Sequence, residues 1–247
     1  MTGPTPIDID ELVGRAEWSG VNEREQRSFV VYKYAATMDG RIAAADSTSQ
    51  WITSPHSRRE VHLLRAGCQA TVVGSGTQQA DNPNLAVRGN DDPRLDLSMI
   101  EPANQPLRVI VDSNARTPAD ATVLNNAAPT LIAVSEDADT THLEGRAELL
   151  RLPRTGRGLD VRALLAGLYK RGVQAVFLEG GPTLAGSFVA AGVIDRVINY
   201  VAPALLGAGK PGLGDAGITT MADIVRLEVV RVDMSGPDVR IIARPQR

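Results

Sequence analysis

Short β-branched runs that stop at glycine or a polar turn, then give way to helical segments, constrain this chain more than any other feature. Ser28 to Ala36 (SFVVYKYAA), Ala70 to Val73, Leu107 to Val111, Thr130 to Val134, Glu148 to Leu152, Ala175 to Leu178 and Arg196 to Val201 read as strands. Between them, Pro55 to Gly67 reads as a helix, with Thr53 or Ser54 as N-cap, Pro55 at the first helical position and Gly67 as the stop. Asp160 to Arg171 and Leu184 to Ala191 read as further helices. This alternation predicts a largely parallel sheet, because parallel neighbours need a crossover segment. Ile224 to Val232 and Val239 to Ala243 flank Ser235, Gly236 and Pro237, and predict a hairpin that adds antiparallel strands at an edge. The expected class is α/β.

Composition narrows the function. With 43% hydrophobic, 22% charged and only 4% aromatic residues in a chain of 247, the expectation is one large domain with an aliphatic core. We place it at residues 29–247, with residues 1–28 as a polar extension. In that extension Ile7, Ile9, Leu12, Val13 and Ala16 are spaced for a short helix. A net charge of −3 leaves no basic footprint for nucleic acid. The single cysteine, Cys68, excludes an intrachain disulfide and a cysteine-based zinc cluster. His56, His62 and His142 have no metal-ligand spacing and read as surface or capping residues. No apolar run is long enough to span a bilayer and the N-terminus lacks signal-peptide character, so a cytoplasmic protein is expected.

The strongest chemical signal is the strand, Glu179-Gly180-Gly181-Pro182-Thr183, helix unit. Two glycines at a strand end let a ligand approach the backbone, and the helix after them turns free N–H groups toward that place, which suits phosphate. A tight turn needing glycine is the alternative. Gly74, Ser75, Gly76 and Thr77 repeat the theme after another strand, and the two loops should share one edge of the sheet and enclose one extended ligand. Lys33, among apolar neighbours, either snorkels to solvent or faces a cleft. Arg65 lies near the core-facing side of its helix, Trp51 is a core plug or a flat wall for a heteroaromatic ring, and Asp81 and Arg88 sit in a long loop running to about Gln105.

Taken in order, AATMDGRIAA, SQWITSPHSRREVHLLRAG, VGSGTQQADNPNLAVR, QPLRVIVDS and FLEGGPTLAGSFVAAGVIDRVINYVAPALLG resemble the reductase domain of the riboflavin-pathway deaminase/reductase proteins. The resemblance runs from about Phe29 to the C-terminal strands. It implies a three-layer fold like that of dihydrofolate reductase, an NADPH cofactor and a homodimer. The activity it implies is reduction of the ribosyl group of 5-amino-6-(5-phosphoribosylamino)uracil, with a variant that reduces the 2,5-diamino pyrimidinone before deamination. By position it assigns Ser49, Arg65, Leu85 and Arg88 to the substrate, with the two arginines suited to its 5′-phosphate. Ala35, Trp51, Thr77, Asp81, Ser113 and the stretch from Gly181 through Pro182, Thr183 and Leu184 to Ser187 are assigned to NADPH, beside Gly74, Gly76 and Gly180 of the two loops. Lys33, Glu179 and Asp81 are the candidates for relaying a proton to the opening sugar, and the sequence does not choose among them. The zinc deaminase of bifunctional members is not expected with one cysteine and so few residues before Phe29. A dihydrofolate or pteridine reductase would leave Arg65 and Arg88 without a use, and a non-catalytic paralogue would have no need of Lys33, Ser49, Arg65, Asp81, Arg88 and Glu179 together.

Overall fold

The computed structural model describes residues 8–89 and 101–246. The middle of the long loop after Asp81, and Ile7 of the expected N-terminal helix, lie outside the described residues. Seven parallel strands form the body of one sheet, in the spatial order β10 (Arg196–Ala202), β1 (Phe29–Thr37), β9 (Ala175–Leu178), β3 (Ala70–Gly74), β4 (Leu107–Val111), β5 (Thr130–Ser135) and β6 (Glu148–Leu152). Beyond β10, β13 (Asp238–Pro245) and then β12 (Leu227–Ser235) add antiparallel strands, so the mostly parallel sheet with its C-terminal hairpin is as expected.

Period-2 alternation divides the strands between two apolar layers. Val30 and Tyr32 of β1, Val72 of β3 and Leu178 of β9 face helices α5 (Val161–Tyr169) and α6 (Pro182–Ala190), burying Leu164, Leu165, Leu168 and Phe188. Phe29, Val31 and Phe177 face the other way, onto Leu12 and Val13 of α1 (Ile9–Val13), Trp18 and Val21 of α2 (Trp18–Glu25), and Leu64 of α3 (Pro55–Ala66). Residues 9–25 thus fold as two helices laid on one face of the sheet.

Helix α3 is fixed at its start and along its buried side. The Ser54 hydroxyl accepts the Ser57 N–H at 3.3 Å, and Pro55 occupies the first turn, where no N–H is needed. Buried Glu60 accepts from Arg240 of β13 at 2.8 Å and from the Tyr200 hydroxyl of β10 at 3.0 Å, and Ser57 donates to Asp238 at 2.6 Å. These bonds lock the register of α3 against the antiparallel end of the sheet.

Four differences from the sequence reading have local causes. Gly74 is extended and serves as N-cap of a helix α4 (Ser75–Asp81), so the Gly-Ser-Gly segment opens a helix rather than a loop; Asn82, left-handed at φ 39°, ends it. Helix α6 begins at Pro182, two residues before Leu184, because Pro fits its first turn. The Gly-rich loop after Leu206 contains β11 (Gly209–Pro211), paired with β2 (Arg41–Ala44); a Cβ on Gly209 would lie 2.1 Å from the Ala43 carbonyl oxygen, so this close pairing requires glycine. Strand β12 starts at Leu227, and Ile224 precedes it outside the ladder. No helix of the described residues is long and apolar enough to cross a membrane.

Candidate active site

The candidate site lies at the carboxyl ends of β1, β9 and β3. Tyr32 pairs with Leu178 in the parallel register, which puts Lys33 and Glu179 side by side at the next position. Both continue the alternation of Val31 and Phe177, so both side chains emerge on the α3 face. Arg65, in the last turn of α3, closes over them: its Nε donates to Glu179 Oε1 at 2.5 Å and its Nη2 to Oε2 at 2.9 Å. The two side chains are only 12% and 13% exposed.

Electrostatics follow from this packing. Burial would raise the Glu179 carboxyl, but the Arg65 guanidinium, with Lys33 and His62, outweighs it and holds the carboxyl below its usual range, so Glu179 is an anion at neutral pH. Lys33 is shifted downward: desolvation and the Arg65 charge weaken its ammonium more than Glu179 supports it. Its Nζ lies 5.6 Å from the Tyr200 ring centroid and makes no hydrogen bond among the described residues. Lys33 is largely buried beside Glu179 and Arg65.

The segment after α4 runs past this triad without joining the sheet, and side chains hold it instead. Gln105 clamps Val87 from both sides, accepting its N–H at 2.7 Å and donating to its carbonyl at 3.1 Å. Buried Arg108 donates to the Asn84 carbonyl at 3.2 Å. Leu85 is buried in the left-handed region at φ 62°, a conformation costly for a leucine and held by these neighbours. The Arg88 N–H donates to His62 Nδ1 at 3.0 Å, which ties Arg88 to α3. Sequence reasoning set His62 aside; the signal it passed over is that His62 precedes Arg65 by one helical turn and shares its face. Burial, then the Arg65 and Arg88 charges, push the imidazole down to about 4.

The two Gly-rich strand ends are adjacent, as expected from the sequence. The Glu179 N–H donates to the Val72 carbonyl at 3.0 Å, bringing the end of β9 beside that of β3. A Cβ on Gly181 would sit 3.3 Å from Thr77 Oγ1, and one on Gly180 would sit 2.9 Å from Leu184 Cδ2, whereas Gly76 faces open space. No side chain caps α6, Pro182 has no N–H, and the N–H groups of Thr183 and Leu184 find no acceptor among the described residues. Bare backbone on two neighbouring strand ends, with unclaimed donors on one, fits a phosphorylated dinucleotide.

Ala35 follows Lys33 on β1, and Ser113 follows β4, its carbonyl accepting from Arg154 at 3.2 Å and from the Ser135 hydroxyl at 2.7 Å. Ser49 is exposed, as is Trp51, which stacks under the Arg58 guanidinium at 4.3 Å rather than plugging the core. Asp81 ends α4 exposed and makes no ion pair among the described residues. No cluster of His, Cys, Asp and Glu among them could hold a metal ion.

The family described as the RibD C-terminal domain matches residues 28–241. The chain belongs to that family. It is 38% identical over 218 residues to a 2,5-diamino-6-ribosylamino-4(3H)-pyrimidinone 5′-phosphate reductase of Methanothermobacter thermautotrophicus, covering 86% of this chain and 96% of that protein. It is 35% identical to the Escherichia coli riboflavin biosynthesis protein RibD over 85% of this chain, but spans only 58% of that longer relative. Among solved structures, Acinetobacter baumannii RibD superposes with a TM-score of 0.77 at 29% identity, over 90% of this chain and 58% of that one. The riboflavin biosynthesis reductase Rib7 of Saccharomyces cerevisiae shares the fold, with a TM-score of 0.70 over 96% of this chain and 100% of that one, at 19% identity. The RibD-type family agrees with the dihydrofolate-reductase-like architecture read from the sequence motifs.

Proposed function

We propose that this protein is an NADPH-dependent reductase of a phosphoribosylaminopyrimidine, and that it turns the ribosylamino group of 5-amino-6-(5-phosphoribosylamino)uracil into the ribitylamino group. The observation that carries the reading is the Lys33, Glu179 and Arg65 triad standing beside the paired Gly-rich strand ends. Gly74, Gly76, Gly180 and Gly181, with the first turn of α6, would hold the dinucleotide. When bound, NADPH supplies the hydride that C1′ of the sugar gains.

The rest is work for the chain's own side chains. As the bond from C1′ to the ring oxygen breaks, that oxygen needs a proton. Glu179 is ionised and held on both oxygens by Arg65, so it is a poor acid; Asp81 is exposed. Lys33 has an ammonium made more acidic by burial and no competing hydrogen bond among the described residues, so Lys33 is the donor. Glu179 keeps that ammonium charged until the proton leaves, and Arg65 orients Glu179. Arg88, and the Arg65 edge that Glu179 does not occupy, face the 5′-phosphate.

A second reading, reduction of the 2,5-diamino pyrimidinone before deamination, is favoured by the alignment with the Methanothermobacter reductase along 96% of its length. Both readings share the ribosyl chemistry and differ only in the base. NADPH oxidation measured with the deaminated and undeaminated phosphates side by side, and with dihydrofolate as control, decides between them. Oxidation with dihydrofolate alone would refute both. We further propose a homodimer built on β12, whose Val229, Val230, Val232 and Met234 stand exposed at the sheet edge.

A further inference from the structure

We propose that His62 is a positioning residue for the substrate phosphate: its Nδ1 accepts the Arg88 backbone N–H and fixes Arg88 one helical turn from Arg65, so that both guanidinium groups serve one anion. This rests on the reading of Arg88 as a phosphate ligand given above. Between Asn84 and Arg88 the chain makes no strand or helix, and its fixed points come one at a time. Arg108 holds the Asn84 carbonyl, Asn84 Oδ1 accepts the Ala86 N–H at 3.2 Å, and Gln105 holds both backbone groups of Val87. These ties stop one residue short of Arg88. The 3.0 Å bond to His62 is the only hydrogen bond of Arg88 among the described residues.

An imidazole accepts at Nδ1 only when that nitrogen carries no proton, so the ring is the neutral Nε2–H tautomer. Burial and the two neighbouring arginines favour that form across the neutral range. A neutral acceptor is what the place requires. A carboxylate there would pair with Arg65 or Arg88 and compete with the phosphate, whereas the imidazole holds the backbone and leaves both cations free of a new counter-charge. The rigid ring also sets the distance between α3 and the segment, which a flexible side chain would not.

The test pairs amide exchange at Arg88 with steady-state kinetics on His62→Phe, which keeps the ring and loses the acceptor, and on His62→Asn, whose Oδ1 stands where Nδ1 was. In His62→Phe the Arg88 amide should lose its protection, and KM for the phosphorylated substrate should rise about tenfold, the size of one lost hydrogen bond to a positioned group. The Kd for NADPH should stay within twofold, and His62→Asn should restore most of both losses. In an Arg88→Ala background His62→Phe should raise KM no further. A KM rise that persists in that background, or that is equal for the substrate lacking its 5′-phosphate, overturns the role, as does an unmoved KM. Should the phenylalanine variant fail to fold, His62→Leu is read by the same criteria. Absence of turnover by the unsubstituted protein would overturn the functional reading and this role together, whereas turnover insensitive to His62→Phe overturns this role alone.

Discussion

Replacing Lys33 by methionine should make this protein more stable and abolish its reductase activity. At the candidate site two cations, Lys33 and Arg65, face one carboxylate, Glu179, and Arg65 already takes both oxygens of that carboxylate at 2.5 and 2.9 Å. Lys33 is left without a hydrogen-bond partner among the described residues, and desolvation, with the Arg65 charge, lowers its affinity for a proton. A base whose pKa is lower folded than unfolded costs stability while it is charged. That cost is full below the folded-state pKa, and it fades as pH rises toward the unfolded-state value, because the folded protein has then already released the proton. Methionine keeps much of the aliphatic stem and removes the charge, a change in the class that commonly gains roughly 0.5–2 kcal/mol. For a domain of this size that corresponds to a Tm increase of about 1–8 °C. Thermal unfolding of both proteins at pH 7 and at pH 9.5 is the assay: Lys33→Met should melt higher at pH 7, and the gap should narrow at pH 9.5. A variant that melts lower than its parent at pH 7 would refute the picture of an under-compensated ammonium, and residual turnover within tenfold of the parent would refute its role as proton donor.

The same geometry sets further expectations. Arg65→Met leaves Glu179 buried without its bidentate partner and should cost about 3 kcal/mol by denaturant unfolding, with Arg65→Lys recovering little because it cannot make the bidentate contact. Glu179 is held below its normal range when folded, so its contribution is present above the unfolded carboxylate pKa and lost as pH falls through the folded value; Glu179→Gln should flatten that acid limb of the stability curve. A Cβ on Gly186 would lie 2.3 Å from the Asp215 carbonyl oxygen, so Gly186→Ala should displace the segment across α6 and destabilise by about 1–3 kcal/mol, measured as a lower melting temperature. Val230→Lys together with Val232→Lys should convert the proposed dimer to a monomer by light scattering, and an unchanged mass would remove β12 from the interface.

How far the sequence reached depends on whether a signal was local. Strand β9 ends where Leu178 meets Glu179-Gly180-Gly181, and the start of α3 is written in Ser54 and Pro55; each is a decision taken within a few residues, and each was legible. The ribbon of β2 and β11 was not, because four and three residues carry no period of their own and the pairing exists only once Gly209 lies against Ala43. Helix α4 reads as loop in the sequence for the same reason: two glycines outweigh Thr77, Gln78 and Gln79 in any local count, and only an extended Gly74 at the sheet edge makes a cap of the first.

The site divides along the same line. Lys33 and Glu179 could be suspected singly, as charges in apolar strands. Their alliance depends on the pairing of Tyr32 with Leu178, a contact between residues 146 positions apart that no window of sequence contains. His62 shows the converse. Its distance from His56 excluded a helical metal pair, yet its distance from Arg65 placed it on the site-facing side of α3, and its partner was a backbone N–H, which every residue but proline carries and which no motif can mark. Side chains that recognise other side chains leave a trace in sequence as paired charges or spaced ligands. Those that recognise backbone far away along the chain leave none, so the side chains that hold the segment after α4, His62, Gln105 and Arg108, become visible only when the fold shows which carbonyl or N–H each one holds.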